Sequence, residues 1–595
     1  MRKGADLITE FLVKEKIPYV FGICGHGNVG MLDALYDARS DITLISPRHE
    51  QTAAHMADAY FRVRHEPVAT LTSCGPGSAN LVMAAAVALT DSSAFLAITA
   101  NVPTSQFNRS PFQELNRHHQ ADFTNVMRPV VKRSFQPTRV DMLPLALRQA
   151  TDTMLSGRAG PVQLDVPFNV FQEEAEVALE PGGRTVLNAR RSAADPEDVA
   201  AALRMILAAE RPVLFVGHGV ALSEASAELT ALAHRLSIPV ISSPNGMGCL
   251  DMEDALSLGF IGRNGAYHAN EAGRRSDLVI AVGARFDDRS SSSWMPGYSW
   301  NFPDTRLIHV DVDHAEIGRN YAADLGILAD ARSFLRQLLA EIDRTDVPAG
   351  PRLAEWNARI AGWRAEWEAF VRPNFDLHTT PIRPERIVAD CRKVLPDDAI
   401  LTFDAGVHHN WFMQFWNSRR PQTMLNSWGF SGMGFGPSSV LGAKLAAPDR
   451  PCVSICGDGG FTMVPHVLCT AVEYNIPAVW VVWNNFAWGA IRDIQHGLFD
   501  GRELGTAFHS GPNGAPYNPD FAAWARAAGV DALTVTRSED FAGALEQAIK
   551  ANRPFLIDVH VDADVRPPAT GAWALPPTPH KEPVFGRRYL AADAG

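Results

Sequence analysis

At 595 residues, 46% of them hydrophobic, the chain is longer than a single core usually grows, so three domains are expected. A formal charge of −12 argues against a nucleic-acid-binding protein, and seven cysteines without paired metal-ligand spacing argue against a zinc module or a secreted disulfide scaffold. The first residues include two basic side chains but no long apolar stretch, so neither a secretion signal nor a membrane span is expected, and the cytoplasm is the expected location.

Residues 1–185 alternate helical patterns, such as Ala5 to Glu15, with strand-like runs at Pro67 to Thr72, Ser93 to Thr99 and Pro161 to Val166. That alternation is the signature of an α/β domain. Its first loop, FGICGHGNV from Phe21 to Val29, carries His26, which is either a satisfied turn residue or a group that donates a hydrogen bond or exchanges a proton. The run from Arg48 to Tyr60 puts Glu50 at a strand-to-helix junction, where an acid stabilises a helix start whatever else it does. A turn follows at Gly75-Pro76-Gly77-Ser78-Ala79-Asn80, then Phe112-Gln113-Glu114 and the pair His118-His119. Adjacent positions on a helix face different ways, so the two histidines are not assigned to one site.

A polar connection from Glu173 to Ala202 leads into the middle block, 186–350, with strands expected at Pro212 to Val216, Pro239 to Ile241, Leu278 to Val282 and Leu307 to Val312. Gly217 and Gly219 and the runs Gly283 to Arg289 and His309 to Gly318 either face a nucleotide or form a structural domain with satisfied Arg–Asp pairs. A Trp-containing connection, Arg352 to Val371, precedes the third block, 370–565. Two of the three blocks can share a fold without visible sequence similarity.

The third block holds the strongest local signal, from Gly457 to Asn485. Pro451 to Cys456 reads as a buried strand, with Cys452 and Cys456 as small apolar residues. Gly457, Asp458, Gly459 and Gly460 read as a turn whose backbone can approach a bulky anion. Val464 to Val472 reads as a helix, and Ala478 to Trp483 as a second buried strand. Asp458 and Asn485 then fall at equivalent ends of two parallel strands, where open α/β sheets bind ligands. The Asp458 carboxylate, the Asn485 amide oxygen and the Ala487 carbonyl are hard ligands suited to Mg²⁺, which takes its remaining ligands from water and phosphates. The alternative is an Asp–Asn pair that organises loop hydrogen bonds. The last segment, 566–595, with Trp573, Phe585, Arg587, Arg588 and Tyr589, reads as a lid or as a tail wrapped around a neighbouring subunit.

The span from the GDG triplet through helix and strand to Asn484-Asn485 resembles the diphosphate- and metal-binding motif of thiamine-diphosphate enzymes. Over nearly the whole chain the resemblance is to acetolactate synthase and its relatives. It implies an α/β fold of three domains with parallel sheets flanked by helices: a pyrimidine-binding domain at 1–185, a nucleotide or FAD-like domain at 186–350, a diphosphate-binding domain at 370–565, and a tail or lid. It further implies that Glu50 holds N1′ of the aminopyrimidine, promotes the imino tautomer and helps deprotonate thiazolium C2. Gly75 and Asn80 would lie near the pyrimidine, and Gly406 and His408, within Asp404 to Trp411, near the diphosphate. Met433, within Gly432 to Pro437, would support the bent cofactor, and Ile491 would hold it folded. Gly217, Gly219, Arg285 and Asp311 would face FAD or ADP. Gln113 would stand by a substrate carboxylate or developing oxyanion. Arg492 would meet an anionic substrate or pair with Asp493, beside Ile494 in the substrate pocket. The family joins its glutamate and GDG motifs across subunits, which implies a homodimer or homotetramer with shared active sites.

The implied reaction is acetolactate-synthase-like carboligation, in which a 2-oxo acid loses its carboxylate and the enamine joins a second carbonyl compound. Two positions depart from that pattern. Cys24 and His26 alter the first glycine-rich turn, giving a form similar to enzymes that open cyclic diketones, and Ile494 stands where the synthases have tryptophan. Cleavage of a 2-hydroxyacyl-CoA thioester, with Arg587 and Arg588 near the CoA phosphate, or hydrolysis of a cyclic 1,2-dione is therefore the alternative. A nucleotide-binding regulatory homologue is the non-enzymatic one, and Glu50, Asp458 and Asn485 weigh against it.

Overall fold

Short, mostly apolar runs suit strands covered on both faces, and such runs supply most of three six-stranded sheets in which every neighbouring pair is parallel. The computed structural model describes residues 1–179, 191–345, 352–511 and 514–568. The expected α/β architecture of parallel sheets flanked by helices is what it shows.

The first sheet comprises β1 (Tyr19–Gly22), β2 (Thr43–Ile45), β3 (Ala69–Thr72), β4 (Leu96–Asn101), β5 (Ser134–Phe135) and β6 (Val162–Pro167), in the spatial order β2-β1-β3-β4-β6-β5. Helix α1 (Glu50–Arg64) follows β2. The middle sheet comprises β7 (Pro212–Val216), β8 (Val240–Ser242), β9 (Ser257–Phe260), β10 (Leu278–Val282), β11 (Arg306–Asp311) and β12 (Leu325–Leu328), ordered β9-β8-β7-β10-β11-β12. The Trp-containing connection is a helix, α2 (Ala354–Val371); it sinks Trp356 and Ile360 into the middle core, and the Trp356 indole N–H donates to the Pro212 carbonyl at 3.3 Å. The third sheet comprises β13 (Ile400–Phe403), β14 (Met424–Asn426), β15 (Cys452–Gly457), β16 (Val479–Asn484), β17 (Asp531–Val535) and β18 (Phe555–His560), ordered β14-β13-β15-β16-β18-β17. Helices α3 (Val407–Phe415), α4 (Phe435–Ala446), α5 (Asp458–Met463) and α6 (Gly489–Leu498) belong to this block.

Counting each sheet from its own first strand, the outer two share the order 2-1-3-4-6-5, whereas the middle one runs 3-2-1-4-5-6. The suspected common fold is thus present in the outer pair, and the middle sheet has the order of a doubly wound dinucleotide-binding domain. In each sheet the order reverses between two central strands, opening a crevice at their carboxyl ends. Those crevices lie between β1 and β3, between β7 and β10, and between β13 and β15.

The first block shares an apolar core with one side of the third, the other side of the third packs into a second core that takes in Met247 and Phe260, and the middle block has its own. Small residues make the junction close: a Cβ on Gly442 of α4 would lie 2.0 Å from the Met56 carbonyl oxygen of α1. Thr52 and Ser438 join their hydroxyls there at 3.0 Å. Beneath it the buried Arg62 guanidinium bonds Asp58 at 2.6 Å and the Asn426 carbonyl at 2.6 Å, so a charge removed from water keeps its partners. Among the described residues no helix is long and apolar enough to cross a membrane. The tail positions Trp573, Phe585, Arg587, Arg588 and Tyr589 lie outside the described residues.

Candidate active site

Asp458 borders the crevice of the third sheet, and Asn485 stands one strand further along the same edge. β15 and β16 are neighbours in parallel register, so Asp458 and Asn485, each just past its strand end, come out side by side. The expected glycine turn is instead the start of a helix: α5 begins at Asp458, and none of Gly457, Gly459 and Gly460 has a left-handed backbone. What two of these glycines supply is room. A Cβ on Gly460 would lie 2.1 Å from Asp404 Oδ2, and one on Gly459 would lie 2.3 Å from the Trp488 ring.

Asp458 is only 1% exposed. Its carboxylate accepts from its neighbour Gly459 N–H at 2.8 Å, from Asn518 Nδ2 at 2.7 Å, and from the N–H groups of Phe486 and Ala487. Burial pushes the acid up to about 6, and these hydrogen bonds oppose that rise. Ala487 sits in an antiparallel bridge with Ala507, whose hydrogen bonds are made by the flanking residues, Trp488 N–H to Thr506 at 2.7 Å and Phe508 N–H to Phe486 at 2.8 Å. That pattern turns Ala487's own N–H and C=O away from the bridge partner. The donor set is therefore one carboxylate and amide oxygens, and among the described residues no three His, Cys, Asp or Glu side chains gather as a metal cluster. Such a set fits a hard cation that takes its other ligands from phosphate and water, and does not fit structural zinc.

On the facing side of the same crevice, Asp404 follows β13. Its Oδ1 accepts from Gly436 N–H at 3.2 Å at the start of α4, while Oδ2, against Gly460, is buried without a partner. Burial pushes this acid also to about 6. The His408 ring folds back over Gly406 and bonds the Asp404 carbonyl through Nε2 at 2.9 Å. Burial holds that imidazole down to about 4, so it is neutral at neutral pH and adjoins Gly457 uncharged.

The crevice of the first sheet gathers the other expected residues. Glu50 is the first residue of α1, but the cap is His49, whose Nδ1 accepts from Gln51 N–H at 3.2 Å. Relieved of capping, the half-buried Glu50 carboxylate accepts from Asn80 Nδ2 at 2.8 Å and lies against Gly77. Gly75, at φ +54°, lets the Gln113 backbone approach: a Cβ there would lie 2.2 Å from the Gln113 carbonyl oxygen. His26 is exposed, and its Nε2 lies 3.5 Å from the Cys74 sulfur, which is also 3.5 Å from Gln113 Oε1. The N-terminus of α1 also meets the third block: Gln51 Nε2 donates to the Met433 carbonyl at 3.1 Å, and Thr52 contacts His466 Nε2 at 3.0 Å. Successive helical residues are turned by about 100°, so Gln51 and Thr52 face this chain's own third block while Glu50 points elsewhere.

Gly217 and Gly283, just past β7 and β10, pack so closely at the middle crevice that a Cβ on Gly217 would lie 2.2 Å from the Gly283 carbonyl oxygen. Above them opens a cavity of about 780 Å³ lined by Gly217, Gly219, Arg285 and Asp311, and reaching Arg64 and Asp91 of the first block and Trp428 of the third. Asp311 ends β11, and burial pushes its carboxyl up to about 6. Arg285 bonds the Thr90 carbonyl at 2.6 Å.

Other expected residues stand apart. Arg492 pairs with Glu503 at 2.7 Å and Asp564 at 2.9 Å, whereas Asp493 pairs with Arg566 at 3.2 Å, so of the two alternatives for Arg492 the pairing with Asp493 does not form. Ile491 is 53% exposed on α6 and Ile494 is half-buried. His118 and His119 lie on an irregular loop rather than a helix, with both backbone N–H groups donating to Asp122. The sequence motifs gave no individual role to Cys74, Asp404 or Asn518, although Asp404 heads the segment Asp404 to Trp411 and Cys74 immediately precedes the Gly-Pro-Gly turn; Asn518 stood beside no such signal.

Family models match the chain in three parts: the N-terminal thiamine pyrophosphate (TPP) binding domain at residues 2–121, the central domain of thiamine pyrophosphate enzymes at 199–338, and the C-terminal TPP binding domain at 404–559. The chain is 34% identical over 584 residues to the probable acetolactate synthase large subunit of Methanocaldococcus jannaschii, covering 97% of this chain and 94% of that one. It is 35% identical over 564 residues to the acetolactate synthase large subunit of Parasynechococcus marenigrum, covering 94% and 87%. To the acetolactate synthase isozyme 3 large subunit of Escherichia coli it is 29% identical over 568 residues, covering 94% and 95%.

Proposed function

We infer that this chain, which belongs to the thiamine-pyrophosphate-dependent enzyme family related to acetolactate synthase, is a carboligase that decarboxylates a 2-oxo acid and joins the remaining fragment to a second carbonyl compound. The observation that carries this reading is the pairing of two crevices on sheets of one topology: Glu50 with Asn80 at the first, and Asp458 with Asn485 at the third. Mg²⁺ would be held by Asp458, Asn485 and the Ala487 carbonyl, and the diphosphate would lie along Gly457 to Gly460, beside Gly406 and neutral His408. When bound, thiamine diphosphate supplies an acidic thiazolium C2 that adds to carbonyl carbons.

The chain's own groups would do the rest. Glu50 would exchange a proton with the aminopyrimidine N1′, with Asn80 fixing its carboxylate. Met433, its backbone tied to Gln51, would support the ring system, with Ile491 on the other side. The Gln113 amide would stabilise negative charge on the substrate, with His26 nearby. Because Glu50 points away from this chain's own third block, the site would be completed by a second copy, giving a homodimer or a pair of dimers. The middle cavity would take a nucleotide by its phosphates at the β7–β10 crevice, with Asp311 at the ribose hydroxyls. Its reach into all three blocks suits a dinucleotide such as FAD better than ADP. His26 keeps one second reading in view, the opening of a cyclic 1,2-dione.

Product analysis of the full chain with thiamine diphosphate and Mg²⁺ tests this. Pyruvate should be converted to acetolactate, alone or crossed with a second 2-oxo acid. Turnover of cyclohexane-1,2-dione with none of pyruvate would replace the carboligase by the ring-opening reading.

A further inference from the structure

The loop that brings Gln113 to the first crevice is held in an unusual state. Gln113 adopts φ +64°, a left-handed conformation that a residue with a side chain reaches at a cost. Its carbonyl is clamped against Gly75. At the tip of this arrangement the Gln113 amide meets a group that no motif announced, the thiol of Cys74, 1% exposed and two residues past β3. Cys74 Sγ stands 3.5 Å from Gln113 Oε1 and 3.5 Å from His26 Nε2. The His26 ring in turn lies 5.6 Å from that of Phe112.

A thiol has one proton to give and a sulfur that accepts weakly. Gln113 Oε1 can only accept, so the Cys74 proton belongs to that contact. The sulfur is then left to accept from His26, which places that ring's proton on Nε2. Burial, together with the nearby carboxyl groups of Glu114 and Asp165, pushes the Cys74 thiol up and keeps its proton in place. With Oε1 tied back, the amide Nε2 is the end of Gln113 that faces outward.

We propose that Cys74 is a positioning residue, whose thiol links His26 to Gln113 in one line of hydrogen bonds and so aims the Gln113 amide N–H groups at an anionic or oxyanion-forming substrate. This rests on the carboligase reading for its substrate, a 2-oxo acid, but the hydrogen-bond line itself does not. Without the thiol the amide is free to turn its carbonyl oxygen toward the substrate's carboxylate, and binding weakens by repulsion.

Two measurements on the full chain loaded with thiamine diphosphate and Mg²⁺ decide it. In steady-state kinetics with pyruvate, Cys74→Ala should raise KM about tenfold with kcat within about threefold of wild type, the scale of one lost hydrogen bond. Cys74→Ser keeps a donor and should recover KM to within about threefold of wild type. In Raman difference spectra, the S–H stretch that disappears in Cys74→Ala should move to higher frequency in Gln113→Leu, where its acceptor is gone. A KM unchanged in Cys74→Ala, or not recovered by serine, overturns the positioning role. An S–H band indifferent to Gln113→Leu overturns the hydrogen-bond line. Exchange of the cofactor C2 proton is measured alongside and should be normal in both Cys74 variants; exchange lost in Cys74→Ser would make the residue part of the cofactor site instead. If no 2-oxo acid is turned over, the carboligase reading falls, and the S–H band still decides the contact.

Discussion

The first and third sheets share a strand order and open their crevices at the same point, yet the residues at those crevices are held in opposite ways. Glu50 is half-buried with Asn80 as its side-chain partner, and His26 is exposed. Asp458 is sealed in and ringed by N–H donors from Gly459, Phe486, Ala487 and Asn518. A carboxylate that must trade a proton needs access and few fixed donors, whereas one that must hold a cation needs a fixed place and a fixed charge. On the proposed reading one scaffold would serve proton exchange at one end and anchoring at the other, and the difference lies in the few residues after each strand.

The largest effect should come from the exchanging side. Glu50→Gln removes the proton acceptor but keeps the hydrogen bond to Asn80, so C2 proton exchange, followed by NMR after acid quench in D₂O, should slow by about 10²- to 10⁴-fold while cofactor binding persists. If binding were lost with exchange, Glu50 would serve as an anchor, the role proposed for Asp458, and the contrast between the crevices would collapse.

How far the sequence shows this contrast depends on how local its causes are. Strands such as β7 and β10 were legible because each is a short apolar run, and both fall at their expected residues. The pairing of Asp458 with Asn485 was legible because parallel neighbours end together. The reason for the glycines was not: Gly460 is small because Asp404, more than fifty positions earlier, lies against it. Asn518 and Cys74 escaped for the same reason, since their partners are set by how loops fold over the sheet. The shared strand order of the outer blocks left no sequence repeat, because a buried parallel strand needs only apolar residues, not particular ones.

The middle sheet extends the comparison to another buried acid at the end of a strand. Asp311 stands at about 6, above its ordinary 3.8, because burial disfavours its charge. Between those values the native chain keeps a proton that the unfolded chain has released, so this group's contribution to stability falls as pH rises through the window. Asp311→Asn keeps the bond from Asp313 N–H and has no charge to bury. Against wild type without nucleotide, it should match below about pH 4 and be more stable at pH 7 by at most about 3 kcal/mol, read by denaturant titration. Added FAD should bind the variant more weakly. A difference that does not change with pH would mean that the Asp311 carboxyl is solvated in the free protein.

Glycines within the anchoring crevice sharpen the comparison further. Gly460→Ala forces a methyl group against Asp404 and should cost about 1–3 kcal/mol of stability, along with cofactor binding. At Gly457 the nearest atoms to an added Cβ are those of the His408 ring, at 3.6 Å, an ordinary contact. Gly457→Ala should therefore fold normally and lose only affinity for the diphosphate. Equal destabilisation by the two would show that α5 needs glycine for its backbone, not for space.

The smallest effect is expected where the outer blocks meet at the surface. Arg48 and Glu473 pair across that junction at 2.6 Å, but their side chains are 53% and 41% exposed. Water and salt screen such a pair, so Arg48→Ala should change stability by less than about 1 kcal/mol, and raising the salt should erase even that. The junction rests instead on the contact of α1 with α4, where Gly442 lies directly on Met56 and Thr52 meets Ser438. A loss of several kcal/mol on removing Arg48 would mean that the two blocks are clamped electrostatically at their rim. The approach of Glu50 to its working position would then depend on ionic strength, which a shared apolar core does not predict.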